Sequence, residues 1–205
     1  MKTTIPRMAS VDTLCKLARE GNAGRYWYDE AQGEIDRAAS LLGSSPRELA
    51  DYLSLFSPRT SVKRSIKVAF RYMESRTLPS DVIRSVRTAV CHYEQTGEIR
   101  GPKTGAFARA LCGERDAVVL DTWMAKAFRI NQKHFSRPAV YAKCCGRVRA
   151  AAKKLGWNPC EVQAAVWRAA VKRAGRKPGS ISLVVDTLFG TFLKESAASY
   201  IRNRS

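Results

Sequence analysis

The chain has 205 residues, 45% of them hydrophobic, and 36 Lys+Arg stand against 18 Asp+Glu for a formal charge of +18. That length and apolar content suit one compact domain with a core, or a domain plus an arm, and count against a disordered chain. So large a positive surplus repels itself in any compact state, which points to a polyanionic partner, nucleic acid ahead of an anionic membrane surface.

Met1 to Ser10 carries no apolar core of a signal peptide, and no run approaches the ~18–20 apolar residues of a spanning helix. A cytoplasmic, nucleoid-associated protein without a membrane partner is the expectation. After a glycine break at 21–24 comes the cluster Tyr26-Trp27-Tyr28. It reads as an anchor of N-terminal helices on the core rather than as a base-stacking platform. Val62, Ile66, Ala69, Phe70 and Met73 then form an apolar stripe at helical spacing, with Lys63, Arg64, Lys67 and Arg71 off it. Val82, Ile83, Val86, Val90 and Tyr93 form a second stripe, opened by the helix-start chemistry of Pro79-Ser80-Asp81. A third stripe, Val140 to Leu155, ends at Gly156. A fourth, Val162 to Ala170, begins after Asn158-Pro159. Ile181 to Val185 is β-branched but continues into Leu188, Phe189 and Phe192 at helical spacing, so it too reads as helix. The prediction is an all-α bundle of about eight to ten helices without a sheet. Its parts are N-terminal helices over 1–45, a core over 46–175 and a C-terminal helical arm over 176–205.

The six cysteines, at 15, 91, 112, 144, 145 and 160, form no Cys-x-x-Cys pair, and only His92 and His134 accompany them. They read as reduced thiols packed as small hydrophobes, with no metal site.

The chemically informative stretch is 97–128, GEIRGPKTGAFARALCGERDAVVLDTWMAKAF. Gly101-Pro102 is a tight turn with proline placed to open a helix. Lys103 and Thr104 fall in that helix's first turn, where unpaired amides and the positive end of the dipole favour a phosphate. The apolar run Ala117 to Leu120 should be buried, and Asp121 follows it directly. Asp121 reads as the cap of a helix beginning at Thr122, as an active-site carboxylate, or as both.

This stretch resembles the helix-hairpin-helix signature of base-excision DNA glycosylases, the endonuclease III group. In that family a hairpin Leu-Pro-Gly-Val-Gly-Arg-Lys-Thr-Ala is followed, eighteen residues after its lysine, by an aspartate in Val-Asp-Thr-His. Here Gly101-Pro102-Lys103-Thr104 matches Gly-Arg-Lys-Thr, and Asp121 stands eighteen residues after Lys103 in Leu-Asp-Thr-Trp. Upstream, the segment from Phe56 to Lys63 is similar to the family's Leu-Ser-Ala-Gln-Ala-Thr, with Arg59 in place of the glutamine. The likeness covers roughly Leu49 to Val171. It implies a glycosylase-type helical fold, duplex DNA as partner, a monomer, and a target base flipped into a pocket. It implies Lys103 and Asp121 as the catalytic pair, the lysine attacking C1′ as a neutral amine and giving lyase activity through a Schiff base. Arg100 and Arg109 are expected to help lower its pKa. Arg59, Lys63, Arg100, Gly101, Thr104 and Gly105 become DNA contacts, Arg59 as the wedge behind the flipped base. Trp123 becomes a wall of the base pocket.

The chain departs from the family in three places. Ile99 replaces the first hairpin glycine, Trp123 replaces the histidine, and the four-cysteine iron–sulfur loop is missing, so no cofactor is expected. The short, iron-free, basic form resembles phage-borne members of the superfamily. A catalytically inactive DNA binder that keeps the hairpin is the alternative, with Lys103 then a plain phosphate contact.

Overall fold

A computed structural model describes residues 6–179 of the chain. Most of the predicted C-terminal arm, including the 181–192 stretch, lies outside the described residues. Nine α-helices and two 3₁₀ turns are present among the described residues, with no β-strand. The fold class is all-α. No helix among them is long and apolar enough to cross a membrane.

The chain divides into two compact units, one of residues 6–32 and 99–178, the other of residues 33–98 with Gly179. In the first unit, α1 (Val11–Glu20) starts on Ser10, whose hydroxyl accepts the Thr13 amide at 3.2 Å. Helix α2 (Trp27–Leu42) contributes its first residues, up to Gln32. Helix α6 (Pro102–Leu111) opens on proline, and α7 (Thr122–Phe128) on Asp121. Helix α8 (Pro138–Leu155) also opens on proline and ends where Gly156 turns left-handed at φ 67°. Helix α9 (Pro159–Arg173) starts from a reciprocal capping box between Asn158 and Glu161. Glu161 takes the Arg25 guanidinium as well, at 3.0 Å.

The core of this unit is built from Leu14 and Leu17 of α1, Met124 and Phe128 of α7, Val140, Cys144 and Val148 of α8, and Val162, Ala165 and Val166 of α9. Helix α9 is buried nearly all round because its inward residues are mostly Ala and Val, which lets α1, α7 and α8 pack closely on it. Closeness is greatest at Gly21, where the end of α1 meets the α9 backbone.

The second unit holds α3 (Pro46–Leu55), α4 (Val62–Ser75) and α5 (Arg84–Thr96). Leu49, Leu53, Phe56, Ile66, Ala69 and Val90 are buried in it. Tyr52 packs against Phe56, Tyr72 and Tyr93. The hydroxyls of this cluster face carboxylates: Tyr72 donates to Glu94 at 2.9 Å and Tyr93 to the buried Asp51 at 2.9 Å.

One predicted helix start moves. Pro79-Ser80-Asp81 forms a separate turn, closed by the Val82 amide on the Pro79 carbonyl at 3.2 Å, and α5 begins only at Arg84. Ile83, which has no side chain able to cap, therefore stands at the head of the helix, and the Asp81 carboxylate two residues earlier pairs with Arg64 instead.

Two glycines give opposite expectations. A methyl group on Gly21 would overlap the Ala165 carbonyl oxygen, so Gly21→Ala should cost about 3 kcal/mol in urea denaturation. Gly146 on α8 has open space around it, so Gly146→Ala should gain about 0.5–1 kcal/mol.

Candidate functional site

The site lies in the first unit and begins at its most constrained backbone position. Gly101 has φ 95°, a conformation that excludes a side chain on conformational grounds although space for one exists. It is the N-cap of α6, and Pro102 occupies the first helical position, where a missing N–H costs nothing. Arg100, Gly101 and Pro102 are exposed, and Lys103, Thr104 and Gly105 are partly buried behind them. No acidic residue stands in the first turn of α6. Tyr141 of α8 secures this turn: its hydroxyl reaches the Pro102 carbonyl at 3.2 Å and the Val118 carbonyl at 3.4 Å. One side chain therefore ties the start of α6 to the buried run that leads to Asp121. Burial pushes the Tyr141 phenol up to about 12, so it stays a donor.

Ala117, Val118, Val119 and Leu120 are all buried. Asp121 follows as the N-cap of α7. Its Oδ1 accepts the amides of Trp123 and Met124, each at 2.9 Å, and its Oδ2 accepts the indole N–H of Trp167 at 3.0 Å. Burial pushes the carboxyl above its usual range. The Met124 amide, the Lys103 amine, the Trp167 indole and the Trp123 amide oppose that shift. Lys103 mirrors it: burial lowers the ammonium pKa and the Asp121 carboxylate raises it. The two groups thus act on each other electrostatically, in surroundings that disfavour charge on both.

An aromatic wall joins them. The Lys103 amine lies 5.3 Å from the centre of the Phe107 ring. Phe107 stacks on Trp27 at 6.2 Å, and Trp27 meets Trp167 at 6.4 Å, the same indole that donates to Asp121. Tyr28 adds a buried floor, packing against Trp27 and Phe107 and donating to the buried Gln163 at 2.7 Å. Burial first, and the Asp121 charge second, push its phenol well above the ordinary value. The pattern is a lysine and a carboxylate at the two ends of a hydrophobic arc, beside an exposed glycine–proline turn.

The remaining sequence-predicted residues are placed as follows. Trp123 contributes its backbone amide to Asp121, while its ring lies under the Lys126 amine at 4.2 Å and the Arg176 guanidinium at 5.7 Å. Arg59 and Lys63 belong to the second unit. Arg59 is exposed with φ 56°, and Lys63 is exposed in the first turn of α4. The arginines expected to tune Lys103 do not do so. Arg109 is engaged by Glu114 at 2.9 Å, and desolvation is what lowers the lysine. Trp27, Tyr28, Phe107, Trp167 and Gln163 had no place in the predicted site. The four aromatic ones carried only a signal that also fits a core, and Gln163 carried none. All six cysteines are free thiols, and no group of His, Cys, Asp or Glu able to hold a metal ion occurs among the described residues.

The fold and site thus define an all-helical protein with a partly buried lysine–carboxylate pair inside an aromatic arc. The chain belongs to the family described as "Family of unknown function (DUF7178)", whose model matches residues 16–174, a span that holds every member of the arc. No curated protein and no solved structure matches it.

Asp121→Ala removes the α7 cap and strands the Trp167 donor, and should cost about 2 kcal/mol in urea denaturation. Asp121→Asn keeps the cap but turns its amide nitrogen, a donor, toward the Trp167 indole, and should cost about 1 kcal/mol, less than the alanine. The raised carboxyl gives the comparison a sign. Its contribution to stability is whole below the unfolded value of 3.8 and fades as pH rises through the folded value. Wild type should therefore lose ground to Asp121→Asn between pH 3.5 and neutrality, read from paired melts.

Proposed function

We propose that this chain is a DNA base-excision glycosylase of the helix-hairpin-helix kind, with lyase activity, in which Lys103 is the nucleophile and Asp121 its electrostatic partner. The observation that carries the reading is the desolvated Lys103 set against Asp121 behind the exposed Gly101-Pro102 turn. A lysine held in such surroundings keeps more of the neutral amine at a given pH, which is the form that attacks.

In the proposed reaction the exposed turn and the first amides of α6 hold the phosphodiester, helped by Arg100 and Thr104. A flipped nucleotide enters against the aromatic arc. The Lys103 amine attacks C1′ and the bond from C1′ to the base breaks. The base leaves with the bonding pair and gains a proton. The carboxylate of Asp121 stabilises the positive charge that develops on the sugar, then takes the proton shed by the attacking amine. Opening of the sugar ring gives a Schiff base between Lys103 and C1′. Loss of a C2′ proton then expels the 3′ phosphate. Trp123, whose ring has two cations near it, serves this reading as a border of the pocket rather than as its floor.

The second reading, a DNA binder without chemistry, has one observation in its favour. Asp121 already accepts three donors, which is a complete set for a structural cap.

Trapping with borohydride on duplexes carrying abasic sites and a panel of modified bases separates the two readings. The glycosylase should yield a covalent adduct with wild type and none with Lys103→Ala, while duplex affinity falls less than about threefold. Adduct formation should rise with pH through a midpoint below the ordinary lysine value of 10.5, because burial lowers that of Lys103. Duplex binding without base release or adduct on any substrate would leave the silent binder.

A further inference from the structure

A second feature of the first unit lies at the far end of α7. There a recess of about 230 Å³ opens between α1, α7 and α9. Leu17 and Ala170 form part of its floor, and Thr13, Lys126, Arg129 and Arg173 stand around it. Three cations therefore converge from two helices and a helix end. Only Arg173 has a carboxylate partner, Glu20. Among the described residues no carboxylate pairs with Lys126 or Arg129, both of which are exposed. Arg129 is also held at φ 60°, a backbone conformation that glycine adopts more readily, so a long cation stands where the helix end favours a small residue.

Cations near a helix C-terminus answer the dipole, but that benefit concerns the first of them and falls off within a turn. Arg173 is answered by Glu20, which leaves Lys126 and Arg129 as two exposed cations beside one recess, an arrangement whose mutual repulsion an anion would relieve. The recess also has a fixed relation to the candidate site. Arg129 follows Asp121 by eight residues, on the order of 12 Å along a helix axis. A DNA strand rises ~3.4 Å per phosphate, so that distance spans roughly three to four nucleotides. Lys126 belongs to both places, since the amine that borders the recess also covers the Trp123 ring.

We propose that this recess is a second phosphate site, which holds the DNA backbone a few nucleotides from the flipped base, with Lys126 and Arg129 as its contacts. The inference rests on the glycosylase reading for its choice of DNA as the anion. The two fail separately.

The test is fluorescence anisotropy of a labelled duplex across a potassium chloride series. The variants are wild type, the double variant Lys126→Gln with Arg129→Gly, and a control double variant, Lys143→Gln with Lys153→Gln, from the exposed face of α8. Glycine suits the left-handed position of Arg129, so the first variant should fold. It should bind about tenfold more weakly at low salt, and its plot of log affinity against log salt should flatten by about two units, since each phosphate contact contributes about 0.9. The control should flatten by less than half a unit. Equal losses in both doubles would reduce the effect to net charge and overturn the proposal. An unchanged slope in the first double would overturn it as well. So would an unchanged duplex slope accompanied by a rise in melting temperature with inorganic phosphate that the first double loses, since the recess would then serve a free anion. Base release by wild type is followed in parallel. Release with an unchanged slope removes only the recess, whereas a flattened slope without release on any substrate removes only the glycosylase.

Discussion

The carboxylate of Asp121 is the group on which the arrangement of the first unit turns. It sits where a buried apolar run meets a short helix, a place that favours the neutral acid. Three donors offset that cost, and each comes from something the fold has to position: two amides of α7 and the indole of Trp167 on α9. Moving α9 would strand the carboxylate, and neutralising the carboxylate would weaken the start of α7. A helix of seven residues has little cooperative stability of its own, so its cap and its packing carry it. The same oxygens that fix α7 also set the field felt by Lys103.

Lys103 and Asp121 form a coupled pair rather than two independent groups. Burial pushes the acid up and the amine down, so the two move toward each other, and each charge partly restores the other. Such opposed shifts bring a base and an acid closer in proton affinity, a condition that acid–base and nucleophilic sites share. The aromatic arc of Phe107, Trp27 and Trp167 produces this condition by excluding water. The outward arginines do not, because their charges are screened by solvent or answered by nearby carboxylates.

Local chemistry explains which parts of the structure were legible in the sequence. Asn158-Pro159, Gly156, Gly101-Pro102 and Asp121 each announce a helix end through the backbone groups they satisfy or the φ they allow, and all four act as read. Pro79-Ser80-Asp81 misled because it closes a turn of its own, so that α5 begins three residues later behind Ile83. The pair Lys103 and Asp121 is picked out by a resemblance to a known motif; from its own neighbours Asp121 reads first as a cap. Trp167 is not picked out, since it lies 46 residues from the aspartate it serves, and an indole on an Ala- and Val-rich helix carries no mark that separates a donor from a core filler. The same holds for Trp27 and Tyr28, whose reading as an anchor accounts for their burial but not for what they enclose.

The charge surplus has an internal structure that bears on the partner. Carboxylates are scarce, and many are held by neighbouring arginines: Asp29 by Arg115, Glu34 by Arg37, Glu48 by Arg76, Asp116 by Arg149 and Glu161 by Arg25. Exposed pairs of this kind contribute little to stability, so their main effect is to cancel positive potential where they stand. Lys63 and Lys126, in contrast, are exposed and have no carboxylate partner among the described residues. Ammonium groups on flexible stems suit the indifferent grip of a phosphate backbone, whereas planar guanidiniums suit fixed two-point pairing with carboxylates and phosphates alike. The fold thus uses several of its arginines to brace itself and leaves other cations, Lys63 and Lys126 among them, facing outward. Burial disfavours the charge on Lys103 while solvent sustains it on the surface lysines, so the two sets meet opposite constraints within one chain.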